Sequence, residues 1–157
     1  MTLATTTLTD VLEKLAALQA QITADDGQGH TIVIQSAAPA FFVNPAKYPA
    51  FINRVGPGQH TQTGMIVRQA WTIYMRLITG NLQHGYDGQM ERWLYPLMKA
   101  VPLFFAAHPI LGLPGVLKTE LGTCTGISVW PNFPEAPKFL GTEFPITVTF
   151  QFTAVRT

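Results

Sequence analysis

The sequence predicts an α+β fold in a single domain, mainly antiparallel sheet flanked by an N-terminal helix and a kinked central helix. Two segments repeat their apolar residues at the helical period, and two others alternate apolar and polar residues one by one. No repeat or shift in composition divides the 157 residues. A domain of that length buries roughly 68 to 70% of its extended-chain surface and holds a core without staples.

The first helix is expected over Thr7 to Ile22, about 8–22, where Leu8, Val11, Leu12, Leu15, Leu18 and Ile22 form one stripe. Gln19 and Gln21 fall off that stripe, on the flank where polar residues belong. Asp10 with Glu13 resembles a capping box, and Thr7 and Thr9 are alternative caps. Ala24 to Gly29 ends the helix, and Thr31 to Gln35 reads as a short buried strand. From Ala37 to Gly64 four prolines weaken the pattern. Pro49 to Val55 is its only helical candidate, and Gly56 to Gly64 reads as a flexible connection.

The long strand is expected at about 65–79, MIVRQAWTIYMRLIT. Its odd positions, Met65 to Leu77, are almost wholly apolar, whereas its even positions include Arg68 and Arg76. At about 3.3 Å per residue it spans roughly 50 Å, more than a compact monomer of this size needs. The excess must curl, pair only in part, or project.

Gly80 to Gly88 turns the chain, and Asp87 is placed to cap a helix at about 88–106. That helix carries Pro96 and Pro102, each costing roughly 3 kcal/mol in a straight helix, so a kinked helix or two short ones in line is expected. Its Trp93, Leu97 and Phe104 stripe is expected against the sheet. C-terminal strands follow at about 116–153: Val116 to Leu121, Cys124 to Trp130 and, after a proline-rich loop, a run in which Phe144, Ile146, Val148, Phe150 and Phe152 alternate with neutral polar residues. A neutral polar face suits an edge shared with another subunit or a wet channel wall.

Charged residues make up 12% of the chain, against roughly 25% in ordinary soluble proteins. Soluble monomers usually keep more charge, so the deficit points to a surface covered by other subunits. A net charge of +1 with no basic run argues against nucleic-acid or anionic-membrane binding as the main role. The lone Cys124 rules out an intrachain disulfide and suits a reducing compartment. No signal-peptide pattern opens the sequence, and the most apolar segment, Val101 to Leu113, is too short to span a bilayer, so a soluble protein is expected.

No catalytic, cofactor or metal site is expected. His30, His60, His84 and His108 have no partner at metal-ligand spacing; three lie in Gly-rich turns and the fourth near a helix end. Ser36 and Ser128 sit in no nucleophile elbow. Asp25 and Asp26 form a carboxylate pair, but in a turn where acids normally meet solvent. Gly56, Gly58 and Gly64 lack the context of a phosphate loop. Arg68 and Arg76 share a strand face and fit either a solvated surface or one turned to a neighbouring subunit or a channel.

The order of elements resembles the tail terminator (tail-completion) and neck proteins of long-tailed bacteriophages. The likeness lies in the amphipathic N-terminal helix, the strand around IYMRLITG, the D-x-x-M start at Asp87 to Met90 running into LFFAAHPILG, and the closing F-x-G-T-E-F-P-I-T-V-T-F. It covers most of Asp10 to Phe152, through soft motifs of apolar spacing. The resemblance implies a structural virion protein made in the host cytoplasm, not an enzyme, with no cofactor. It implies a homohexameric ring that caps the tail tube beneath the head-tail connector or stopper protein, through which DNA passes without sequence-specific binding. Arg68, Arg76, Thr147, Thr149 and Gln151 are then the expected subunit-interface or channel residues. Alternatives are a tail-tube subunit, a connector stopper, a host partner-binding module, or a small ligand-binding module or enzyme using His84, Asp87 and Arg92.

Overall fold

A computed structural model describes residues 6–40, 45, 47–82, 88–131 and 138–153. Helix α1, Leu8–Gln19, leads into a small antiparallel hairpin of β1, Thr23–Asp25, and β2, Thr31–Val33. The main sheet is built from β3, Ser36–Ala38, β4, Ala50–Thr63, and β5, Ile66–Asn81. After helix α2, Gly88–Ala106, it is completed by β6, Val116–Leu121, β7, Ser128–Pro131, and β8, Lys138–Thr153. Its order is β3-β4-β5-β8-β6, with β7 also on β8; only the β3–β4 pair is parallel. The fold is therefore α+β in one layer of mainly antiparallel sheet with two helices.

Thr7 is the N-cap of α1. Its hydroxyl accepts from the Asp10 N–H at 3.2 Å and the Asp10 carboxylate accepts from the Thr7 N–H at 2.8 Å, a reciprocal capping box that holds the Asp10 pKa below the usual carboxylate value. Val11, Leu15, Leu18 and Ile22 are buried as the stripe requires. Gln19, expected on the polar flank, is instead fully buried. Its Nε2 donates to Asn53 Oδ1 at 2.7 Å and Asn53 Nδ2 donates to Gln19 Oε1 at 2.9 Å, so each amide satisfies the other and α1 is tied to β4.

Helix α2 is one helix through both prolines rather than two in line. Its buried stripe is Leu94, Leu97, Val101 and Phe105, with Trp93 and Phe104 on its flanks. Burying four large apolar side chains, at about 1.5–3 kcal/mol each, is of the size needed to offset two internal prolines. The cap expected at Asp87 and the turn before it lie outside the described residues. Among those residues no helix is long and apolar enough to cross a membrane.

Two expectations for the middle of the chain are corrected. Pro49 to Val55 is not helical, and Gly56 to Gly64 is not a loose connection: Ala50 to Thr63 form β4, paired with β5 on both sides of a bulge. A bulge between Val55 and Gly58 absorbs Pro57, which has no N–H for a regular ladder. A Cβ on Gly56 would lie 2.4 Å from the Tyr74 ring, and one on Gly58 2.4 Å from the Trp71 ring. The glycines are there because two aromatic rings lie across the strand, one on each side of the bulge. Gly64, at φ +61°, makes the turn into β5. The strand expected over Cys124 to Trp130 is shorter, beginning at Ser128. Gly126, at φ +74°, interrupts the extended run before it.

The core lies on one side of the sheet. Ile73, Met75 and Leu77 of β5 and Phe144, Ile146, Val148 and Phe150 of β8 meet Leu15, Leu18, Leu94, Leu97 and Val101 of the helices. Burial then fades along the strands. Ala50 to Asn53 are buried but Gln59 to Thr63 are exposed, and in β5 burial begins at Ile73 whereas Ile66 and Arg68 are exposed. The strand length that no compact monomer needs thus forms an arm extending past the core.

Candidate functional site

The second face of the sheet is covered by neither helix. Because β5 pairs antiparallel with β8 in register, the even residues of β5 share this face with the odd residues of β8: Arg68 stands opposite Gln151, Ala70 opposite Thr149, Thr72 opposite Thr147 and Arg76 opposite Glu143. From β4 come Arg54, opposite Tyr74, and Thr61, opposite Arg68. From β6 come Lys118 and Glu120, opposite Thr149 and Thr147. All five residues expected at an interface or channel therefore occupy one face, although Arg68 and Arg76 lie at different ends of it.

Their surroundings differ. Arg68 is exposed in the arm, a few residues from the Gly64 turn, beside half-buried Gln151. Thr147 hydroxyl lies 3.2 Å from that of Thr72. Thr149 is buried, contrary to the expected wet wall, because β8 is flanked by β5 and β6 and a short side chain there is shielded by its longer neighbours. Arg76 does not stand free: its Nε donates to Glu143 at 3.1 Å and its guanidinium sits 3.0 Å from the same carboxylate. Arg54 lies 3.8 Å from Glu143 on the other oxygen and 4.7 Å over the Tyr74 ring. One nearly buried carboxylate thus serves two guanidiniums.

Glu143 and Arg54 were missed as members of this face, whereas Tyr74 falls on it as an even position of the strand. The signal for Glu143 was present: extending the alternation of Thr147, Thr149 and Gln151 two steps back through Pro145 reaches it. Arg54 was hidden by the assignment of its segment to a helix. Counting Arg54, Arg68, Arg76 and Lys118 against Glu120 and Glu143, the described side chains of the face carry two more positive than negative charges. At one end the face closes on a small apolar cluster of Ile52, Ile78 and Phe139 with Tyr48, whose phenol burial pushes above its ordinary pKa.

The remaining titratable candidates have local structural work. Asp25 Oδ1 accepts from the Gly27 N–H at 2.8 Å; Asp26 Oδ1 accepts from the N–H groups of Gln28 at 2.7 Å and His30 at 3.1 Å. The two carboxylates shape the β1–β2 turn, and the bond from Gln28, together with those from His30, holds the Asp26 pKa down. His108 Nδ1 is 2.8 Å from the Phe104 carbonyl, the helix-end contact its position suggests, and the ring stacks on Phe104 at 4.3 Å. His60, expected in a turn, lies instead in β4, edge-on to Trp71 at 5.5 Å. Cys124 is half-buried against the core. Of the alternative trio, His84 and Asp87 lie outside the described residues. Arg92 lines a hollow of about 230 Å³ with Asp26, Gln28, Tyr95 and Pro96. Among the described residues, no group of three or more His, Cys, Asp or Glu is placed to hold a metal ion. In comparisons with known proteins, no family model and no curated protein matches the chain.

Proposed function

We propose that this chain is a structural virion protein, a tail terminator or tail-completion subunit. In this proposal its copies close into a ring, of six by the resemblance in sequence, at the head-proximal end of a phage tail, and join the tail tube to the connector. The observation that carries the proposal is the arm: the long β4–β5 hairpin outruns the core, and the sheet keeps an uncovered, mostly polar face with a small positive excess. An isolated domain gains nothing from that extra length, whereas a ring subunit needs it to reach its neighbours and the layers above and below. Threonine, glutamine and paired arginines are also suited to a surface past which DNA slides. A small positive excess attracts phosphate without holding it, and no array of base-reading side chains is required.

The test is native mass spectrometry and negative-stain electron microscopy of the purified protein, alone and with the tail-tube protein. Closed single rings that cap tubes are the expected result. Monomers under both conditions would end the proposal, and long tubes formed by this protein alone would assign it to the tube instead.

A further inference from the structure

Among the described residues both edges of the main sheet are open. Strand β3 pairs only with Ala50 to Ile52, so from Asn53 to Thr63 no described strand covers the outer side of β4; at the far end none covers the outer side of β6. An uncovered strand presents unpaired N–H and C=O groups, and soluble proteins usually blunt such an edge with charge, bulges or shortness. The bulge at Val55–Gly58 does this locally, but Gly58 to Thr63 beyond it runs regularly to the turn with His60 as its only titratable residue. Strand β6 is six residues long, the length of that stretch, and exposes Leu117.

We infer that the β6 edge of one copy adds to the Gly58–Thr63 edge of the next, an inference that rests on the self-assembling ring proposed above. The strand directions fit. Three antiparallel junctions separate β4 from β6, so the two run in opposite senses. A copy carried round a ring axis keeps its sense, so its β6 meets β4 antiparallel and the polar faces of both copies stay on one side. Pairing β4 with β4 would instead leave every β6 edge open. The head-to-tail contact satisfies both edges, and no edge is left open once the copies close into a ring.

The test is disulfide trapping in the full chain with Cys124→Ser. Each of Gln59→Cys, Thr61→Cys and Thr63→Cys is combined with Lys118→Cys or Glu120→Cys, which samples the possible registers. Directly opposite strand residues lie about 4.5–5.5 Å apart at Cα, within disulfide range. Mild oxidation should convert at least one double variant into a ladder of covalent multimers that reductant collapses, while its single-cysteine parents stay monomeric on the gel. If native mass spectrometry finds the oligomer but no pair gives a ladder, edge pairing is wrong and the ring stands. Dimers from a β4 cysteine alone would replace it with β4–β4 pairing. Monomers by native mass spectrometry would remove edge pairing and ring together.

Discussion

Removing Asn53 tests whether the buried amide pair, and not α1 packing in general, fixes the helix to the root of the arm. Gln19 is fully buried and Asn53 nearly so, with the Asn53 amide also donating to the Ala38 carbonyl at 3.0 Å. In Asn53→Leu, a change that keeps the side chain's shape, Gln19 Oε1 and Nε2 lose their partners in a site without access to water. Each unsatisfied group costs about 1–3 kcal/mol, so a loss of roughly 3 kcal/mol is expected. For a domain of this size that corresponds to a fall in Tm of roughly 6–12 °C. Gln19→Met should cost a similar amount through the stranded Asn53. The double variant, which removes both halves, should recover much of the loss, because replacing both partners by apolar groups of like shape is nearly neutral. Urea unfolding of the four proteins gives the coupling: with single losses of roughly 3 kcal/mol each and a double variant that loses about 1 kcal/mol, it is about 5 kcal/mol in favour of the pair. Losses that simply add would show that the two amides act independently.

Gly58→Ala drives a methyl group into the Trp71 ring, and a cost of about 1–3 kcal/mol is expected, with a shift in tryptophan emission as the ring is displaced. Glu143→Ala should cost about 1.5–3 kcal/mol in urea unfolding, since it removes the carboxylate that Arg76 and Arg54 share, and Glu143→Gln should cost less because one hydrogen bond can be kept. Acid should weaken the fold through Asp10 and Asp26. Both have pKa values lowered in the folded state, so the unfolded chain binds more protons near pH 4; their contribution is present above that pH and disappears as pH falls through the folded values. The variants Asp10→Asn and Asp26→Asn should flatten the dependence of Tm on pH below about 4.

Period and capping made the outer parts of the chain legible. The β5 and β8 alternations place their apolar sides on the core, and the stripe of α1 is buried as spaced, because each of these elements has one face on the core and one off it. Strand β4 was illegible for the opposite reason. Its buried half, Ala50 to Asn53, is inside on both faces, since Phe51 meets the main core and Ile52 the smaller cluster, and such a run carries no period. Its exposed half has no apolar side at all. The polar character of Gln19 was likewise read correctly and its place wrongly, because the residue that satisfies it is 34 positions away.

The candidate face was legible as two separate strand faces and not as one surface. Strand alternation gives the side on which Arg68 or Gln151 stands, but only the register between β5 and β8 shows that they stand opposite each other while Arg76 is engaged by Glu143. That difference bears on the proposed ring. A guanidinium shared with a nearly buried carboxylate is poorly placed to greet a partner, so contacts across a subunit boundary or with passing phosphate fall to Arg68 and the exposed Thr61 rather than to Arg76. Replacing Arg68 should then perturb assembly or passage while leaving folding almost untouched, and replacing Arg76 should do the reverse. That division of labour follows from the register and could not be drawn from the spacing of the two arginines along the strand.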